Sequence, residues 1–244
     1  MRILFATDFH LDAAPAGYDL FNDIVAAMNV IAIEAGACNL VVLGGDLFHC
    51  KRANPRPSPR AYEAVLNLLN DIPCPVIVLQ GNHDEGALGP LGTVRWPKMQ
   101  ADGGSLFDLE AGTVLTSEAK VLVATRPEVV GYDGKALLLA PYMPQSAAEL
   151  PLPEVYEAAF RHARDEGVVA AFCHLDVPGA RGPGGFELPC GPAAIPPAAR
   201  ALDVPIMNGH IHVPQVVGNV TMVGSLVPVA FGEAGQRRVA VLEV

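Results

Sequence analysis

The sequence predicts a soluble α/β fold, and three observations predict it. Five short runs are apolar on both faces rather than alternating, as strands buried on two sides must be. Amphipathic stretches separate the early runs, so the first half reads as βαβ units. Each of the five runs is also followed at once by histidine, aspartate or asparagine, which a buried strand has no reason to carry unless its end closes a turn or holds something.

In chain order, "RILFAT" (2–7) is the first strand. Residues 18–36 follow as a helix that sets Leu20, Phe21, Ile24, Val25, Met28 and Ile31 on one face. "NLVVLG" (39–44) is the second strand, and "ANPRPSPR" is a Pro-rich loop. Residues 59–70 repeat the helical pattern with Ala61, Val65, Leu66 and Leu69, and "PVIVLQ" (75–80) is the third strand. Between 105 and 142, "SLFDLE", "TVLTS", "KVLVAT" and "ALLLAPY" with Gly-rich breaks read as a mainly antiparallel meander. A third, more polar helix covers 152–166, before "GVVAAFC" (167–173) and "VPIMN" (204–208). The tail, 213–244, resembles the meander. No Ser/Gly-rich or charge-rich linker divides the 244 residues, so a single domain spanning 1–244 is expected.

Composition narrows the setting. Hydrophobic residues make up 51% of the chain, but Glu34 and Asn39 interrupt the longest apolar stretch, short of the roughly 20 residues that cross a bilayer. "RILFATDFH" turns polar too soon for an export signal. Five cysteines, an odd number with no CxxC, suit a reduced, cytoplasmic location. A net charge of −10 disfavours nucleic acid unless cations gather locally.

The strand ends supply the chemistry. The first gives Asp8 and His10, the second Asp46 and then His49, and the third Asn82, His83 and Asp84. The fourth gives His174, and the fifth His210 and His212. Of seven histidines only His162 lies elsewhere. Ligands of open α/β sheets bind outside the carboxyl ends of the strands, so these residues can meet on one rim. Singly, each motif fits turn or cap chemistry as well. In "GHIH", two imidazoles one residue apart point the same way from an extended chain. Imidazole, carboxylate and amide oxygen form an N/O donor set suited to Mn, Fe, Zn or Ni, and the supply exceeds what one ion needs. Two ions roughly 3.5–4 Å apart with one bridging Asp suit in-line displacement at phosphorus, so phosphoester hydrolysis is the expected reaction.

The order Asp8-Phe9-His10, Gly45-Asp46, Gly81-Asn82-His83-Asp84, His174 and Gly209-His210-Ile211-His212 resembles the calcineurin-like metallophosphoesterase superfamily. That resemblance implies a four-layer α/β/β/α sandwich of two mixed sheets. It also implies Asp8, His10 and His212 around a first metal, Asn82, His174 and His210 around a second, and Asp46 between them. Mn²⁺ is the expected metal, with Mg²⁺, Fe²⁺ or Zn²⁺ as alternatives. His83, outside the ligand set, would stabilise charge on the phosphate or protonate the leaving oxygen, with Asp84 orienting its ring.

Three stretches, "GGDLFHCKRANPRPS", "NGHIHVPQ" and "VGSLVPVAFGEAGQRRVAVLEV", are similar to the nuclease subunit of Mre/Rad and SbcCD repair complexes. This likeness implies a DNA exonuclease or endonuclease in which a water activated between two metals cleaves phosphodiesters. His49 stands where such nucleases use a histidine to place the DNA end. Their DNA-capping domain and the helices that grip an SbcC/Rad-type ATPase have no counterpart before Val244. Helices 18–36 and 59–70 would either form a homodimer or cover a sheet. Lys51, Arg52, Arg56 and Arg60 form an acid-free basic segment expected to bind DNA phosphates, and two bound ions would offset the overall acidity. No P-loop, G-x-S-x-G or dinucleotide-binding glycine pattern competes. The alternatives are a small-molecule phosphodiesterase or phosphomonoesterase, for example on cyclic nucleotides, and a scaffold without catalysis. The intact ligand set opposes the scaffold.

Overall fold

Strand β1 (Arg2–Ala6) is buried from its second residue onward and hydrogen-bonds in parallel to β2 (Leu40–Leu43), which pairs in parallel with β3 (Val76–Leu79). The structure is a computed structural model and describes residues 1–50, 56–85, 87–88, 91, 121–230, 232–233 and 238–244. β4 (Val121–Ala124) extends this sheet in parallel to β3, and β11 (Ala240–Glu243) closes its other side antiparallel to β1. The order is β11-β1-β2-β3-β4. A second sheet runs β5 (Glu128–Tyr132), β6 (Lys135–Ala140), β7 (Ala170–Cys173), β8 (Ile206–Asn208), β10 (Val220–Met222), β9 (Gln215–Val217).

Three separate apolar cores show how these layers stack. Leu4, Val41, Leu43, Val76 and Val78 point outward from the first sheet against Ile24, Met28 and Ile31 of α1 (Phe21–Ala35) and Val65 and Leu69 of α2 (Pro59–Asp71). Ile3, Phe5, Val42 and Ile77 point the other way and meet Leu137, Leu139 and Phe172 of the second sheet. Leu138 and Ala171, on the far face of that sheet, pack under Tyr156 and Phe160 of α3 (Leu152–Asp165). Strand residues alternate faces, so two cores per sheet give the four-layer α/β/β/α sandwich. Phe5 and Phe172 stack between the sheets at 5.7 Å, both fully buried, and truncating Phe172 to alanine would cost about 3–5 kcal/mol.

Helices 18–36 and 59–70 thus use their apolar faces to cover a sheet. Ser58 caps α2 by accepting from Ala61 N (3.2 Å), with Pro59 opening the helix. Asp12 holds that cap through Ser58 N and Oγ, both at 2.7 Å, and so ties the loop after β1 to the start of α2.

The meander expectation needs correction. "SLFDLE" and "TVLTS" lie outside the described residues. β4 is parallel to β3, and β6 is parallel to β7, so the antiparallel pairing there is β5 with β6. Asp133 and Gly134, with φ of 52° and 68°, close that hairpin in the positive-φ conformation such two-residue loops require. In the tail β9 and β10 pair antiparallel, but β10 is parallel to β8 and β11 belongs to the other sheet. No helix among the described residues is long and apolar enough to cross a membrane.

Candidate metal centre

β1, β2, β3, β7 and β8 run parallel within their sheets, so their carboxyl ends lie on one side and the loops that follow converge there. The first two loops continue side by side past the strands: Asp8 N donates to Gly45 O, His10 N to Asp46 O, and His49 N to Leu11 O. Five polar residues there have left-handed backbones, Asp8 (φ 56°), His10 (52°), Asp12 (72°), Asp46 (52°) and His210 (70°). Each such residue costs on the order of 1–3 kcal/mol and persists only where its surroundings fix it. The chain at His210 is therefore turned, not extended as "GHIH" suggested. Gly45 is required twice over: its φ is 99°, and a Cβ there would strike the His174 ring. A Cβ on Gly81 would strike the Asp46 carboxylate.

The seven expected ligands come together in two groups. In one, His212 Nε2 lies 3.0 Å from His10 Nε2 and 3.7 Å from Asp8 Oδ1. In the other, Asn82 Oδ1 lies 2.9 Å from His210 Nδ1 and 3.3 Å from His174 Nε2. Asp46 Oδ2 stands between them, 3.6 Å from His10 Nε2 and 3.4 Å from His174 Nε2. Thr7 Oγ1 and His210 N donate to Asp8, and His83 N donates to Asp46 Oδ1 at 2.8 Å.

The ring nitrogens facing away from these groups decide what the groups can hold. His174 Nδ1 meets Gly44 O at 2.7 Å, His210 Nε2 meets Asp176 Oδ1 at 2.9 Å, and His212 Nδ1 meets Glu233 Oε1 at 2.8 Å. Each acceptor calls for an N–H on that nitrogen, which in a neutral ring leaves a lone pair on the inward one. In the neutral ring a lone pair on His210 Nδ1 then faces Asn82 Oδ1 across 2.9 Å, an arrangement a cation between the groups would relieve. The electrostatics agree. Burial drives His10 well below the usual imidazole range, leaving it neutral, and drives Asp8 up. Burial also works against charge on Asp46 and His174, yet their mutual attraction wins, pulling Asp46 down and raising His174 to about 9. The proton on His174 does there what a metal ion would do. The residues present fit divalent metals.

A family model described as calcineurin-like phosphoesterase matches residues 1–214. The chain belongs to that family. Family membership and the His/Asp groups together point to divalent metal binding and phosphoester hydrolysis. No curated protein matches the chain. Among solved structures it is similar to a dimetal phosphatase from Danio rerio, at 13% identity and TM-score 0.54, over 99% of this chain and 91% of that one. A nuclease, MPE, from Pseudomonas putida is also similar, at 15% identity and TM-score 0.34, over 88% and 64%. At these identities the likeness to the phosphatase concerns the fold.

The remaining candidates separate. His49 reaches the site: its Nδ1 is 3.1 Å from His10 Nδ1, and its ring stacks on His83 at 4.8 Å. His10, His49 and His83 also form a group close enough for an ion, but His10 is shared with the first group. If His10 Nε2 holds an ion, its Nδ1 would carry the hydrogen and face His49 Nδ1 as a donor. A cleft of about 500 Å³ opens here, lined by His10, Asp12, His49, His83, His212 and Val229.

Asp84 does not orient His83. Its carboxylate is fully buried and accepts from Leu47 N, Phe48 N and Gly81 N at 3.3, 3.0 and 3.0 Å, stapling the loop after β2 to the loop after β3. Burial pushes it up to about 7. His83 Nδ1 is buried without a partner among the described residues. Lys51 and Arg52 lie outside the described residues, and Arg56 is exposed. Arg60, its side chain half exposed, lies 2.9 Å from Asp19, 3.8 Å from Asp12 and 4.4 Å above the Phe21 ring. Sequence reasoning missed Asp176 and Glu233; the only signals were an acid two residues after His174 and the glutamate of "AFGEAG".

Proposed function

We propose that this chain is an SbcD-like DNA nuclease, hydrolysing phosphodiester bonds as an exonuclease or endonuclease. The observation that carries this reading is the stacked pair of His49 and His83 on the open cleft beside the two donor groups. A phosphomonoester needs one donor to its leaving oxygen. A second imidazole alongside suits a chain that continues past the scissile phosphate and must be placed. The likeness of three sequence stretches to the SbcD-type nucleases supports the same reading.

In this mechanism Asp8, His10 and His212 would hold one divalent ion, Asn82, His174 and His210 would hold the other, and Asp46 would serve both. Bound there, two ions, expected to be Mn²⁺, would polarise the phosphate and lower the pKa of a water. The protein does the rest. Gly44, Asp176 and Glu233 fix the ring orientations. His83 donates to the leaving oxygen or stabilises charge on the phosphate, and His49 positions the strand. Lys51 and Arg52 would contact flanking phosphates. An SbcC/Rad-type ATPase subunit and a homodimer belong to the same proposal. Because the inner faces of α1 and α2 are taken by the sheet, a dimer would use their outer surfaces, where Val30 and Ile33 are exposed.

One observation favours a small-molecule phosphodiesterase or phosphomonoesterase on the same site: Asp19 and Asp12 beside Arg60 partly offset the positive charge of the basic segment. The test is to strip the purified chain of metal, reload it with Mn²⁺, and offer labelled single- and double-stranded DNA beside cyclic nucleotides. DNA cleavage supports the nuclease; turnover of cyclic nucleotides with intact DNA overturns it.

A further inference from the structure

The histidines at 210 and 212 present opposite ring nitrogens to the site. His210 turns Nδ1 inward to Asn82 Oδ1, whereas His212 turns Nε2 inward to His10 and Asp8. Backbone direction alone does not set this choice, because either ring can flip about its last side-chain torsion. A carboxylate sets it. Asp176 lies on the outer side of His210, and Glu233 on the outer side of His212.

We propose that Asp176 and Glu233 are positioning residues, one for each metal, each fixing the tautomer and orientation of a single histidine. Asp176 thereby serves the second ion through His210, and Glu233 serves the first through His212.

Both acids are themselves held in place. Asp176 accepts from His210 with Oδ1 and from Gly191 N (2.7 Å) with Oδ2, while its backbone pairs with Ala193 and Ile195. Glu233, 7% exposed, accepts from His212 with Oε1 and from Val229 N (3.0 Å) and Ser225 Oγ (3.3 Å) with Oε2. All acceptor positions used are oxygens facing N–H or O–H groups. An amide in place of either carboxylate keeps one oxygen and sets an NH₂ against the other set of donors. The ring either loses its partner or is freed to turn its lone pair outward.

The two devices differ in reach. Asp176 anchors the segment from 176 to 195 to the site, whereas Glu233 anchors Ser225 and Val229, the latter lining the cleft. An outer carboxylate of this kind typically changes metal affinity 10–100-fold.

This inference rests on the two-metal reading. Mn²⁺ binding to chelated protein is measured by calorimetry for the wild type, Asp176→Asn, Glu233→Gln, and each of these combined with His210→Ala and with His212→Ala. The thermal midpoint of each chelated protein is recorded. The wild type is expected to bind two ions, and each single variant to weaken one binding event 10–100-fold while the other stays, at an unchanged chelated-state midpoint. Asp176→Asn should add nothing to His210→Ala but should add fully to His212→Ala, with the reverse for Glu233→Gln. Fewer than two ions in the wild type would refute the two-metal reading. Two ions in the wild type, with both events weakened equally or neither weakened in the variants, would overturn the assignment of Asp176 and Glu233 alone. A lowered chelated-state midpoint with normal metal affinity would show a purely structural role and also overturn it.

Discussion

Replacing His83 with alanine separates chemistry from metal binding. The His83 ring lies outside the two donor groups, stacked on His49 at 4.8 Å and edge-on to His10 at 4.9 Å. The bond from residue 83 to Asp46 comes from its backbone N–H, which alanine retains. Both ions should therefore stay bound, and the loss should fall on kcat. A positioned acid contributes 10²–10⁴-fold, equivalent to about 3–5 kcal/mol of transition-state stabilisation. The assay is kcat on a series of aryl phosphodiesters of graded leaving-group pKa, with bound metal determined by elemental analysis. If His83 protonates the leaving oxygen, the loss shrinks as the leaving group becomes more acidic. If it stabilises charge on the phosphate, the loss is uniform across the series. Loss of metal in proportion to activity, or a fall in kcat of less than tenfold, would refute both roles.

His174→Ala removes a donor of the second group, and elemental analysis should find one ion fewer per chain with turnover lost. Replacing Lys51 and Arg52 with glutamine should flatten the dependence of log K for DNA on log salt by roughly 0.7 per lost contact for single strands or 0.9 for duplex; Arg60→Gln, its charge partly offset by Asp19 and Asp12, should change that slope less. Gly45→Ala should abolish metal binding even where the chain still folds, because the new Cβ displaces the His174 ring; circular dichroism beside metal content distinguishes the two losses. Chelation should lower the thermal midpoint, since ions that bind only the native state at a hundred times their Kd each contribute about 2.7 kcal/mol.

The strand ends were legible because a strand buried on both faces gives an uninterrupted apolar run, against which a following Asp or His stands out. β1, β2, β3, β7 and β8 and helices α1 and α3 fall within the expected spans, and α2 runs one residue beyond its own, to Asp71. Strand direction was not legible, because the apolarity of β4 and β6 reports burial and not the sense of their neighbours. β5 escaped notice as a short, half-exposed strand, although Asp133-Gly134 beside it is a hairpin signal. Asp176 and Glu233 sit 34 and 21 residues from the rings they contact, and no local spacing marks such pairs. Asp84 was misread because "GNHD" places an acid beside a histidine in sequence. The turn sends its carboxylate inward, to backbone donors on another loop.

The two-metal reading of the donor groups around Asp46 is tested most directly by counting bound ions against function. Mn²⁺ is titrated into chelated protein while bound metal and hydrolysis of labelled DNA are followed on the same samples. Two ions should bind per chain, and cleavage should rise with occupancy of the second site. Saturation at one ion with full cleavage, or cleavage undiminished in excess chelator, would contradict the two-metal site.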